Sequence, residues 1–129
     1  MSTVDITIET FESTIKDAEK PIVLVDAWAA WCGPCRQFAP VYDAAAAQHD
    51  DVVFAKIDTE AQPELAVGLQ IQSIPTLMAF RDGIMVFRQA GALPAPALEQ
   101  VIQGVKGLDM DMVRREIAAQ QDGAAPAAE

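Results

Sequence analysis

The sequence predicts an α/β domain: a central mixed sheet of four to five strands flanked by helices, with one extra helix at the C-terminal end. Three observations carry this. Two strongly apolar runs, PIVLVDAWAA (21–30) and DVVFAKIDT (51–59), read as strands, and the near-continuous first of them suits a central position covered on both faces. Helix-period segments alternate with strands in the order β-α-β-α-β-α-β-β-α, and the first part has the signature of parallel strands joined by right-handed crossovers. Asp82-Gly83 sits between the strand-like runs TLMAF and IMVFRQ, a hairpin signal that makes the last two strands antiparallel.

Taken in order, VDITI (Val4–Ile8) alternates with period two and predicts a short, half-exposed strand. Thr10 precedes FESTIKDAEK, a short amphipathic helix with Phe11 and Ile15 on one face. Pro21 opens the most apolar strand. From Cys35 to about His49 the pattern is helical and Ala-rich, with Phe38, Val41, Tyr42 and Ala45 on one stripe; Pro40 is expected to kink it. After the strand at 51–59, TEAQPELAVGL predicts a helix that tolerates Pro63 in its first turn. IQSIPTLMAFRDG gives an extended segment, a strand and the turn, and Gly91 ends the second strand of the hairpin. Ala95 to about Lys106 is helical, with Leu98, Val101, Ile102 and Val105 inward and Gly107 as terminator. LDMDMVRREIAAQQ predicts a final helix with Met110, Val113 and Ile117 as its apolar stripe; acids at its start and Arg114 and Arg115 later suit the helix dipole. DGAAPAAE is low in complexity and is expected to fray. The division is a domain over 1–107 and a helical extension with a disordered tail over 108–129.

The chain has 129 residues and is 51% hydrophobic, enough for a real core in one domain. Its net charge of −10 argues against non-specific nucleic-acid binding, which needs a basic surface. Asp5, Glu9 and Glu12 interrupt any apolar stretch of a secretory leader, and no run approaches the roughly 18 apolar residues of a membrane span. There is no Asn, hence no N-glycosylation sequon. A cytosolic location, no membrane partner and a monomer are the expectations.

Only two cysteines are present, Cys32 and Cys35, with Gly33-Pro34 between them at a strand–helix junction. Exchange chemistry needs thiolate, and a free thiol of pKa about 8.5 supplies little of it at neutral pH. A helix N-terminus offers unpaired N–H groups and partial positive charge that stabilise a sulfur anion at Cys32. Cys35, one helical turn on, is within reach to close a small ring, and Pro34 stiffens the first turn. Two other arrangements stand beside this one. The pair could be buried core thiols, or half of a zinc site shared between chains, since His49 is the one His and a structural zinc takes about four ligands.

VDAWAAWCGPCRQFAP (25–40) closely resembles the active-site signature of the thioredoxin family. The likeness continues through KID (56–58), SIPT (73–76), FRDG (80–83) and GA (91–92), over roughly residues 4–106. The resemblance implies the thioredoxin fold and a general protein-disulfide reductase. It makes Cys32 the nucleophile that forms a mixed disulfide and Cys35 the resolving thiol, with Cys32 the more accessible. It makes Asp26 a buried carboxylate that assists proton transfer near Cys35, and places Lys56 with or near that carboxylate. Ile74-Pro75-Thr76 corresponds to the family's cis-proline loop, whose backbone at Ile74 binds extended substrate. Trp31 would cover the site from outside while Trp28 packs beneath. Gly33, Pro34, Gly91 and Ala92 would help form a flat docking surface for many client proteins. The resemblance implies a redox-active disulfide, no bound cofactor or metal, and a flavoprotein thioredoxin reductase as partner, carrying the NADPH and FAD. Ala27 stands where the family commonly has Phe, and residues 107–129 have no counterpart in a minimal member.

Overall fold

In the computed structural model, which describes residues 3–17 and 19–127, five strands form one mixed sheet in the order β1-β3-β2-β4-β5. They are β1 (Val4–Asp5), β2 (Ile22–Trp28), β3 (Val52–Asp58), β4 (Thr76–Arg81) and β5 (Ile84–Ala90). The helices are α1 (Phe11–Ile15), α2 (Gly33–Gln48), α3 (Pro63–Gly68), α4 (Ala95–Lys106) and α5 (Met110–Ala127). β3 pairs parallel with both β1 and β2, while β4 runs antiparallel to β2 and to β5. The expected mixed sheet with its closing hairpin is therefore present, at the upper end of the predicted strand number.

The period-two alternation of β2 sorts the core. Ile22 and Leu24 join Phe38, Tyr42 and Ala46 of α2 and Leu98, Ile102 and Val105 of α4 on one face. Val23, Val25 and Ala27 join Ile15 of α1 and Leu65 of α3 on the other. Both faces are covered, which is why the strand reads as near-continuous hydrophobic sequence, broken by Asp26 alone. Phe38, Tyr42 and Phe54 pack in series, the first pair tilted and the second edge-to-face, with ring centroids 5.6 and 5.2 Å apart. Each such pair adds about 0.5–1.5 kcal/mol beyond burial of its area. α2 thereby becomes a rigid support for whatever its first turn carries.

Asp82 and Gly83 both take positive φ, 56° and 81°, as a two-residue hairpin turn demands. Arg81 and Asp82 also anchor the C-terminal extension. Arg81 Nη1 donates to the carbonyls of Val105, Lys106 and Leu108 at 2.8, 3.0 and 3.1 Å, and Arg114 Nη2 donates to Asp82 Oδ2 at 2.8 Å. On the extension Met110 is buried, and Val113 and Ile117 are half-buried across a cleft from Ile84 and Val86. This is the stripe the sequence predicts. Alongside α4, buried His49 accepts from Lys106 through Nδ1 (3.1 Å), so its Nε2 carries the proton donated to Glu99 (2.9 Å).

Three boundaries differ from the sequence expectation. β1 stops at Asp5 instead of Ile8, because Thr7 and Thr10 hydrogen-bond to each other and close a turn in place of the ladder. α1 ends at Ile15, and Asp17 Oδ1 takes the Glu19 N–H at 2.9 Å, a side-chain turn that competes with helix; Ala18 of that predicted helix lies outside the described residues. α5 continues as helix to Ala127, where the sequence pattern predicts fraying from Asp122; residues 128–129 of that predicted tail lie outside the described residues. Among the described residues no helix is long and apolar enough to cross a membrane.

Candidate active site

β2 delivers the chain to the sheet's C-terminal edge at Trp28, and a short loop turns it into α2. Cys32 caps that helix. Its backbone is extended (φ −88°, ψ 113°), and its Sγ accepts the Cys35 N–H at 3.2 Å. Pro34 occupies the first turn, where no N–H is missed. Arg36 braces the loop from inside the helix by donating to the Ala30 carbonyl at 2.7 Å. Cys32 and Cys35 are joined in a disulfide with their Cα atoms 5.2 Å apart. The helix N-terminus supplies an N–H donor and positive potential at Cys32 Sγ, which favour its thiolate once the pair is reduced. The pairing excludes the reading of two separate core thiols.

The sulfurs are almost closed off. Cys32 is 4% exposed and Cys35 3%, so the expected advantage of Cys32 in accessibility is absent from the oxidised form. Ala29, Trp28 and Ile74 pack around both, and a half-buried Trp28 beneath the pair matches the sequence expectation. Trp31 is 67% exposed and forms one wall of a cleft whose other lining includes Ile71, Ser73 and Ile74.

The Ile74–Pro75 peptide is cis, and the Ile74 carbonyl oxygen lies 3.7 Å from Cys32 Sγ. Gly91 fixes this loop from the next strand, its N–H donating to the Pro75 carbonyl at 2.8 Å. Gly91 does so at φ +100°, a conformation L side chains rarely adopt. A Cβ at Gly33 or at Gly91 would meet nothing within 4 Å, and Pro34 and Ala92 are exposed. Small residues thus leave the surface around the sulfurs low and open.

Asp26 sits in the middle of β2, 1% exposed, opposite Lys56 of β3 and Leu77 of β4. Alternation puts it on the α2 face of the sheet. Burial raises its carboxyl pKa from an ordinary 3.8 to about 7; the nearby Lys56 charge opposes this and Asp43 adds to it. Its Oδ1 has no hydrogen-bond partner among the described residues. Lys56 is beside Asp26 in register, but its ion pair goes elsewhere: Nζ is 3.8 Å from Asp43 Oδ1 and 5.9 Å from the centre of the Trp28 ring. Asp43, on an otherwise alanine-rich stretch of α2, was not legible as a site residue, because helix periodicity alone marks it as solvent-facing. Helix periodicity places Tyr42 in the core, and the structure gives it a polar contact as well. Its hydroxyl donates to the Ala55 carbonyl at 2.8 Å, and its pKa is pushed well up by burial and by the Asp26 charge.

Comparison with known proteins agrees with this geometry. The family model described as thioredoxin matches residues 2–104. "Putative thioredoxin 2" of Streptomyces coelicolor is 56% identical over 120 residues, covering 93% of this chain and 88% of that one. Thioredoxin 1 of a Nostoc species is 42% identical over 99 residues, covering 76% and 92%. Among solved structures, thioredoxin f of spinach chloroplast superposes with a TM-score of 0.75 at 30% identity, covering 82% of this chain and 95% of that one. Plasmodium falciparum thioredoxin gives 0.72 at 33%, covering 79% and 98%.

Proposed function

The chain belongs to the thioredoxin family, and on that premise we propose that it is a general protein-disulfide reductase serving many clients. The observation that carries the proposal is the disulfide at the N-terminus of α2 with the Ile74 backbone beside its outer sulfur. Thiol–disulfide exchange is the chemistry of this family, and this chain has the parts for it.

In the reduced protein the Cys32 thiolate attacks one sulfur of a client disulfide. A Cys32–client disulfide forms and the client's other sulfur leaves as thiolate. Asp26 takes the proton of the Cys35 thiol, directly or through water, and Cys35 then attacks Cys32 Sγ. The Cys32–Cys35 bond forms and the client's second sulfur leaves. Two electrons pass to the client, which picks up two protons to become a dithiol. Cys35 is one turn inside the helix and can reach Cys32 without large backbone movement. Trp31, Gly33, Pro34, Ile74, Pro75, Gly91 and Ala92 make up the docking surface, and one exposed aromatic among small residues and prolines suits varied partners. Lys56 tunes Asp26 by its charge.

Re-reduction comes from a flavoprotein thioredoxin reductase, which carries FAD and draws electrons from NADPH; the protein works as a cytoplasmic monomer. A coupled assay tests this. With NADPH and a bacterial thioredoxin reductase, catalytic amounts of the protein should drive insulin reduction and NADPH loss together. A reduced protein that gives no turnover of insulin would sink the proposal, and would leave a domain that uses this surface for binding alone.

A further inference from the structure

The segment that presents Ile74 is short, and β5 holds it at both ends. Downstream, the Gly91 N–H, one residue past β5, donates to the Pro75 carbonyl. Upstream, the chain leaves α3 through a closed helix end. The Ile71 N–H bonds to the Ala66 carbonyl at 3.0 Å and the Gln70 N–H to the Val67 carbonyl at 2.9 Å. That paired pattern closes a helix around a residue in the left-handed region, a position glycine usually fills. Here it is Gln70, at φ +57°. A side chain resists that conformation, so the closure needs support from outside.

Arg88 gives that support. It stands on β5 opposite Met78, three residues before Gly91. Its Nη1 donates to the Leu69 carbonyl at 2.6 Å and its Nη2 donates to the Gln70 carbonyl. A planar guanidinium makes both bonds with one rigid group, and its charge suits the carbonyls left free at a helix end. Residues 71–74 are therefore slung between an Arg88 grip and a Gly91 grip.

We propose that Arg88 is a positioning residue for client docking: by gripping the Leu69 and Gln70 carbonyls it fixes the segment whose Ile74 backbone receives the client chain. This rests on the reading of Ile74 as the docking backbone. Arg88 touches neither cysteine, so it acts on the recognition of extended polypeptides and not on the sulfur chemistry. Small disulfides, which need no such segment, are indifferent to it.

The test compares wild type, Arg88→Met and Arg88→Lys in reduction of insulin and of a small aromatic disulfide, driven by NADPH and a bacterial thioredoxin reductase, with far-ultraviolet circular dichroism as the check on folding. Arg88→Met should raise KM for insulin about five- to tenfold with kcat little changed. Arg88→Lys, with one donor group in place of the fork, should fall between. Rates with the small disulfide should match wild type in both. Amide exchange at Gln70 and Ile71 should quicken in Arg88→Met while strand amides stay protected. Unchanged KM for insulin in both variants, a parallel loss with the small disulfide, or unchanged exchange at Gln70 and Ile71 would each overturn the proposal. A wild type that reduces the small disulfide but not insulin would overturn the docking reading itself, and Arg88's role with it. A wild type that saturates normally with insulin, matched by Arg88→Met, overturns Arg88's role alone.

Discussion

Cys35→Ser is expected to stop the protein halfway, as a covalent adduct with its client through Cys32, whereas Cys32→Ser is expected to form no adduct at all. The asymmetry follows from where the two sulfurs sit. Cys32 caps α2 and faces the Ile74 backbone, where an incoming client strand docks; Cys35 is a turn further into the helix. With Cys35 gone, the Cys32–client bond has no neighbour to break it. Mass spectrometry of Cys35→Ser mixed with an oxidised client should show a one-to-one adduct that dithiothreitol releases. Turnover should fall by on the order of a thousandfold or more in either variant, since the two thiols act as a unit and losing one loses the cycle. An adduct formed through Cys35 in the Cys32→Ser protein would show that the roles are reversed.

Asp26→Asn is expected to change both stability and rate, with opposite signs. Asp26 is buried, and its carboxyl is raised to about 7 from an ordinary 3.8. A carboxyl raised by folding binds its proton more tightly in the folded state. Its contribution is therefore full below the unfolded value near pH 4 and is lost as pH climbs through about 7. Above that the buried anion costs about 4 kcal/mol at most. Urea denaturation of the oxidised proteins checks this without interference from thiol titration. The two should be alike at pH 4–4.5. The variant should gain on wild type as pH rises to about 7, then hold a lead of about 2–4 kcal/mol. A constant difference across that range would contradict the burial account. In single turnover the variant should resolve the mixed disulfide on the order of ten- to a hundredfold more slowly near neutrality. It should also lack the rise in rate that wild type shows through pH 7, where Asp26 becomes the base.

Much of this architecture was written into the chain plainly. The near-continuous apolar run from Ile22 to Trp28 requires a strand with helices on both sides, and Asp26 stands out as the one break in it, because a lone carboxylate there has to serve some purpose. Asp82-Gly83 could take the two positive φ angles that its turn requires. The cysteine spacing placed both sulfurs on the first turn of one helix. Other features depend on partners far away in sequence. Lys56 next to Asp26 invites pairing of the two, but the ion pair forms with Asp43, which only the packing of α2 on β3 brings near. Arg88 reads as an ordinary charge on an edge strand until the end of α3 folds against it. Thr7 and Thr10 have the side chains for either strand or turn, and their mutual hydrogen bonds decided for the turn. The greater accessibility expected of Cys32 over Cys35 is absent in the oxidised form, where Trp28 and Ile74 pack against the bonded sulfurs, a tertiary effect that no local pattern encodes.

The central claim is that the Cys32–Cys35 pair is poised to give electrons to client disulfides. Its reduction potential, measured by equilibrating the protein with dithiothreitol redox buffers and counting free thiols, tests this most directly. The account predicts a value near that typical of thioredoxins, about −270 mV. A value well above about −200 mV would contradict it and mark the protein as a disulfide donor or isomerase.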